Sequence, residues 1–119
     1  MEIKNLDTNL SVSGQLELHH LRLLAEYGVK TIICNRPDDE ECEQCSFAEI
    51  THEAEKLGIT TAYLPVTQGS INDENSIAFR KLIREQPKPI HAYCRTGIRS
   101  TILWTKGIVF SQSRLTRYN

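Results

Sequence analysis

Apolar positions along this chain switch between two periods, and the switches mark out its elements. Leu10 to Ser13 reads as a short strand ended by Gly14. From Gln15 to Tyr27 the spacing is helical, with Leu16, His20, Leu23, Leu24 and Tyr27 on one face. Gly28 follows where a helix C-terminus turns left-handed most easily. Val29-Lys30-Thr31-Ile32-Ile33-Cys34 is a β-branched strand, stopped by Asn35-Arg36-Pro37-Asp38. Ser46 with Glu49 makes a capping box for a helix through Leu57, whose apolar stripe is Phe47, Ile50, Ala54 and Leu57, and Gly58 ends it. A strand from Ile59 to Val66, a loop at Thr67-Gln68-Gly69-Ser70 and a helix from about Asn72 to Gln86 follow, the helix burying Phe79, Leu82 and Ile83. Pro87-Lys88-Pro89 breaks the pattern before a last short strand, Ile90-His91-Ala92-Tyr93. Strands alternating with helices predict right-handed βαβ crossovers, hence an α/β three-layer sandwich with a mostly parallel central sheet.

Length adds that this is one domain: of 119 residues, 1–110 are expected to form it and 111–119 to be a C-terminal tail. There is no internal repeat or low-complexity segment. Lys+Arg is 14 against 15 Asp+Glu, a net charge of −1, so no electrostatic case exists for nucleic acid or an anionic membrane as partner. The longest apolar runs, such as Ile32-Ile33-Cys34 and Ile108-Val109-Phe110, fall far short of the ~18 residues of a membrane span. Met1 to Asp7 lacks the basic start and apolar core of a secretory signal, so a cytoplasmic protein is expected. Cys34, Cys42, Cys45 and Cys94 are unevenly spaced, and a cytoplasmic chain of this size needs no disulfide scaffold.

The chemistry concentrates where the last strand runs into Cys94-Arg95-Thr96-Gly97-Ile98-Arg99-Ser100. Ligands of open α/β sheets bind at the carboxyl ends of strands. A glycine-containing loop entering a helix there lets backbone N–H groups of residues 95–99 converge on an anion. The same field favours a thiolate, and a free cysteine's pKa near ~8.5 falls by several units in such surroundings. Arg99 would close the cup with a planar fork suited to an oxyanion or a sulfur anion. Gly97 lets the loop turn inward, and Ser100 is expected either to hydrogen-bond the Cys94 sulfur or to cap the following helix. The bland alternative is a buried core thiol with an ordinary helix cap. Arginines at both 95 and 99, in a loop with nothing obvious to neutralise, weigh against it.

Several segments together resemble a known family. Ser-Gly-Gln at 13–15, Asn-Arg-Pro-Asp at 35–38, Ser-Phe-Ala-Glu at 46–49, Leu-Pro-Val at 64–66 and Ala-Tyr-Cys-Arg-Thr-Gly-Ile-Arg-Ser at 92–100 are similar, in order and position, to the bacterial beta-lactamase-hydrolase-like, phosphatase-like domain. The resemblance spans about residues 3 to 105. It implies a dual-specificity-phosphatase-like fold, Cys94 as nucleophile and residues 95–99 as the anion cradle. It also implies phosphatase or sulfurtransferase activity, since members carry either label and occur fused to sulfide-oxidising enzymes. From about Gly107 to Asn119 the chain departs from the family pattern, so an altered or short last helix is expected.

Two features choose between those chemistries. Four residues separate Cys94 from Arg99, the spacing of rhodanese-like sulfurtransferases, whereas cysteine phosphatases of this general fold use five. The loop after the preceding strand, Val66-Thr67-Gln68-Gly69, has no carboxylate to protonate a leaving alkoxide, a role worth ~10²–10⁴-fold. Asp73 is the nearest candidate, and the first turn of a helix is its more ordinary place. The leading expectation is therefore a sulfurtransferase that carries sulfane sulfur as a Cys94 persulfide to a thiol. Thiosulfate, glutathione persulfide or another anionic small molecule would be its donor, and a sulfide-oxidising enzyme its protein partner. The alternative is a cysteine-dependent phosphatase working through a phosphoryl-thiolate. A non-catalytic module that senses persulfide or phosphate is a third reading, distinguished by the absence of turnover.

Arg36 is expected on the rim beside Cys94, where it either binds the anionic substrate or pairs with Asp38 or Glu40 to order its loop. Cys34 reads as core, with a resolving thiol as the sharper alternative. Cys42-Glu43-Gln44-Cys45 supplies only two metal ligands, and His19, His20 and His52 read as surface or half-buried, so no metal and no cofactor are expected.

Overall fold

The computed structural model describes residues 1–117. Its elements are β1 (Lys4–Asp7), β2 (Leu10–Ser13), α1 (His20–Glu26), β3 (Thr31–Cys34), α2 (Phe47–Lys56), β4 (Thr60–Tyr63), α3 (Asp73–Glu85), β5 (Ile90–Tyr93) and α4 (Ile98–Arg117). They form a five-stranded sheet in the order β1-β2-β5-β3-β4, parallel except for the antiparallel edge strand β1. Adjacent residues of one strand serve opposite faces, as the pleat requires. Ile32 packs with Leu21, Leu24, Ile50 and Ala54 of α1 and α2, while Ile33 packs with Phe79 and Leu103 of α3 and α4. Two cores on one sheet make the three layers that the strand–helix alternation predicts.

The main departure is at the first helix. It was expected from Gln15, but residues 15–17 are irregular, residues 18–19 form a turn and α1 begins at His20. The reason is tertiary: the Gln15 N–H donates to the Arg95 carbonyl, which holds the chain over the Cys94 loop. The apolar face shifts accordingly. Leu16, Leu21 and Leu24 are fully buried, whereas Leu23 and Tyr27, expected inside, are largely exposed. Strand β1 was not anticipated, because its residues alternate too weakly to register. The last helix, expected to be altered or short, runs to Arg117 and so passes residue 110; Tyr118 and Asn119 lie outside the described residues.

The capping signal at α2 is met: Ser46 and Glu49 form the full box. Asn72, read only as the start of α3, caps it reciprocally with Asn75. Gly28 and Gly58 follow α1 and α2 at φ 87° and 74°, where a side chain would be strained.

Because β5 lies in the middle of the sheet, its carboxyl end is flanked by the ends of β2 and β3. His91 braces this junction: its Nδ1 and Nε2 lie 2.7 and 2.8 Å from the hydroxyls of Ser11 and Ser13. Burial pulls its pKa down to about 4, so the ring is neutral near neutral pH. No helix among the described residues is long and apolar enough to cross a membrane.

Candidate active site

Cys94 stands at the carboxyl end of β5, fully buried, with α4 starting at Ile98. Gly97 adopts φ 94°, which turns its N–H inward to donate to the Cys94 Sγ at 3.0 Å. The same glycine lies against the end of β2, where a Cβ would come 3.4 Å from the Ser13 carbonyl carbon. Gly14 closes the other side, since a Cβ there would sit 2.8 Å from the Arg95 oxygen. Backbone on backbone thus fixes the loop, and Gly14, read from sequence only as a strand end, is part of its frame.

Arg99 points from the first turn of α4 back across the loop and is only 5% exposed. Its Nη1 donates to Glu40 Oε2 at 2.8 Å and to the Val66 carbonyl at 2.9 Å, and its Nη2 donates to Glu40 Oε1 at 2.9 Å. The Glu40 carboxylate first, with a smaller contribution from the Cys94 sulfur, raises the Arg99 pKa. A bidentate carboxylate on its outer edge thus holds it in place. Arg36, 3% exposed, is held in turn by Glu40 (Nε, 2.9 Å), Glu41 (Nη2, 2.9 Å) and Gln15 (Nη1, 2.9 Å). Of the two roles expected for Arg36, pairing within its loop is present, with Glu40 and not Asp38; the Asp38 Oδ1 accepts from the Phe47 N–H.

The remaining cradle residues separate. Arg95 is exposed and pairs with Glu41 at 3.0 Å. The Thr96 hydroxyl accepts from the Ile98 N–H at 3.4 Å, and the Ile98 side chain faces solvent at 61% exposure. Ser100 corrects the expectation made for it. It neither bonds the Cys94 sulfur nor caps the helix; fully buried, it donates to Asn35 Oδ1 at 2.8 Å. The Asn35 amide passes the link to the Leu64 carbonyl at 2.9 Å, so this pair ties α4 to the ends of β3 and β4. Cys34 keeps its core reading: its thiol donates to the Arg36 carbonyl at 3.2 Å, and burial raises its pKa. Cys42 is exposed and Cys45 half-buried, both free.

Glu40 was anticipated only as a partner of Arg36; its grip on Arg99, 59 residues away, is not visible from the sequence. The hydrogen bonds from Arg99 first, and then Arg36, hold its pKa at about 2. A carboxyl depressed on folding stabilises fully above its unfolded value of 4.5 and loses that contribution as pH falls through about 2. Glu40→Gln is therefore expected to lower unfolding free energy by about 1–3 kcal/mol near neutral pH. Denaturation curves should show the gap closing between about pH 4.5 and 2. A gap that does not change with pH would mean that the Arg99–Glu40 pair is held by something other than its charge.

A buried cysteine at the end of the central strand, an N–H donor inside its loop and an arginine on the next helical turn define a cysteine-based phosphatase-like domain. The chain belongs to the beta-lactamase hydrolase-like protein, phosphatase-like domain family, whose profile matches residues 2–111. A beta-lactamase hydrolase-like protein of Agrobacterium fabrum is 28% identical over 107 residues, covering 90% of this chain and 25% of that protein. The chain therefore spans about a quarter of that curated relative's length. Among solved structures, a candidate phosphatase from Neisseria meningitidis is 44% identical with a TM-score of 0.81, over 84% of this chain and 71% of the other. The core catalytic domain of a PP-IP phosphatase from S. cerevisiae shares the fold at 15% identity and a TM-score of 0.63, over 80% and 56% of the two chains.

Proposed function

We propose that this domain hydrolyses phosphate monoesters with Cys94 as nucleophile and Arg99 as the oxyanion-binding cation. Expected first as a sulfurtransferase, the chain is better read by the alternative. The sulfurtransferase expectation rests on the four-residue spacing and on the loop at 66–69 without a carboxylate. The observation that carries the new reading is the placement of Arg99. Buried and anchored by Glu40 and the Val66 carbonyl, its guanidinium is fixed on the first turn after the Cys94 loop despite the shorter spacing. The phosphatases among the structural neighbours support the same direction.

In this reading the Cys94 thiolate attacks phosphorus in line with the ester oxygen. The P–O bond breaks, and its electron pair leaves with the alcohol or phenol oxygen. Inward N–H groups and Arg99 hold the equatorial oxygens as their charge shifts. Water then attacks the phosphoryl-thiolate, releasing phosphate and restoring the thiol. Arg36, Arg95, Thr96, Gly97 and Ile98 are proposed to frame the anion through backbone N–H groups and charge, with Ser100 supporting them through Asn35.

Proton supply to the leaving group sets the preference. Glu40, held at about 2, stays ionised near neutral pH. Asp73, 75% exposed, lies 3.7 Å from Lys106 at the start of α3. Substrates with weakly basic leaving groups, aryl phosphates first, are favoured accordingly. Intact-mass spectrometry after brief incubation with an aryl phosphate should detect a phosphoryl-sized gain on Cys94, with steady release of the phenol. A sulfur-sized gain from thiosulfate, with no phosphoryl gain from any aryl phosphate, would reverse the assignment. Stoichiometric binding without turnover of either would leave a sensing module.

A further inference from the structure

We propose that Glu17, His19 and His20 form a binding site for a divalent first-row transition-metal ion of the zinc type. The three residues offer one ligand atom each, a carboxylate oxygen and two ring nitrogens, all within 4.8 Å of one another. Glu17 Oε2 and His19 Nδ1 are 3.5 Å apart, and the two imidazole rings lie with centroids 4.1 Å apart at a tilt of 51°. Read as separate surface histidines in the sequence, they converge because residues 15–19 are not helical. The His20 N–H donates to the Glu17 carbonyl at 3.0 Å and the Leu21 N–H to the Leu18 carbonyl at 3.2 Å, making a tight turn. Leu16 and Leu21, fully buried, pin that turn at both ends and leave the polar side chains between them outside. The scaffold is thus rigid although the ligands are accessible.

The donor set suits the ion. Imidazole nitrogen and carboxylate oxygen are borderline ligands that zinc and its neighbours take, at about 2.0–2.2 Å. In a tetrahedral shell such atoms stand roughly 3.4 Å apart, the spacing that Glu17 and His19 already show. Rotation of the third side chain completes the triad, and water takes the fourth position. Binding displaces one contact: the Glu17 N–H donates to His20 Nδ1 at 3.0 Å, in a solvent-exposed place where water substitutes for it. The turn also borders the candidate active site through Gln15, which accepts from Arg36. The ion site does not depend on the phosphatase assignment.

The competing ligands are the thiols. Cys45 is half-buried and Cys42 exposed, and both are free, as is Cys94. Cobalt(II), a spectroscopic substitute for zinc, separates the cases in the tag-free chain of 119 residues. The expected result is one equivalent bound without a thiolate-to-metal charge-transfer band. His19→Ala should weaken binding at least about tenfold, and His19→Ala with His20→Ala should abolish the site. Because a variant can disturb the turn, the imidazole resonances of the unaltered protein provide a second measurement. Cobalt should broaden those of His19 and His20 and spare His52. Equal affinity in the double variant, a thiolate band lost in Cys45→Ser, or uniform broadening of all histidines would overturn the proposal.

Discussion

Cys94→Ser is expected to abolish turnover, by at least ~10³-fold in kcat, while the domain stays folded. The substitution changes little volume, and a serine oxygen can still accept the Gly97 N–H that now reaches the sulfur at 3.0 Å. What disappears is the sulfur nucleophile, since an alkoxide is scarcely available near neutral pH. Unfolding free energy should change by only about 1–2 kcal/mol, because the site is buried and the new hydroxyl keeps a partner. Circular dichroism and steady-state kinetics on the same preparation check both halves. Residual turnover near the unaltered rate would remove Cys94 from the chemistry and with it the whole assignment.

Arg99→Lys should be nearly as damaging, at ~10²-fold or more in kcat/KM. The arginine makes three anchoring hydrogen bonds, two to Glu40 and one to the Val66 carbonyl, and is buried on the turn that follows the Cys94 loop. An ammonium keeps the charge but cannot be gripped on one edge and present donors on another. Binding of an inert oxyanion should weaken in parallel, which isothermal titration with inorganic phosphate measures. Equal kcat/KM in the lysine variant would reduce Arg99 to charge balance. The Glu40 variant complements this test: it leaves the guanidinium in place and removes what aims it.

Much of this architecture was legible before any coordinates. The capping box at Ser46 and the glycines at 28 and 58 depend on neighbours a few residues away, so sequence carries them intact. The same holds for the strand–loop–helix at residues 90–100, where Cys94, Gly97 and Arg99 stand within one short segment. Misreadings arose where long-range contact overrode local preference. Residues 15–19 have helical periodicity, yet one hydrogen bond from Gln15 to Arg95 keeps them out of α1. Ser100 looked like a ligand to sulfur because of its closeness in sequence, but the helix turns it towards Asn35, which arrives from another strand.

By itself, then, the sequence determined the α/β alternation, the helix boundaries set by caps, and a cysteine–glycine–arginine loop at a strand end. All of these rest on interactions spanning a handful of residues. Only the tertiary structure decided that Glu40, 59 residues from Arg99 along the chain, is the carboxylate that aims the guanidinium. It also brought Gly14 against Arg95 and gathered Glu17, His19 and His20 on one turn. The physical reason is the parallel sheet: it places the carboxyl ends of β2, β5 and β3 side by side, so loops distant in sequence meet over one strand end. A charge or a glycine in such a loop acquires its partner only when the strands pair.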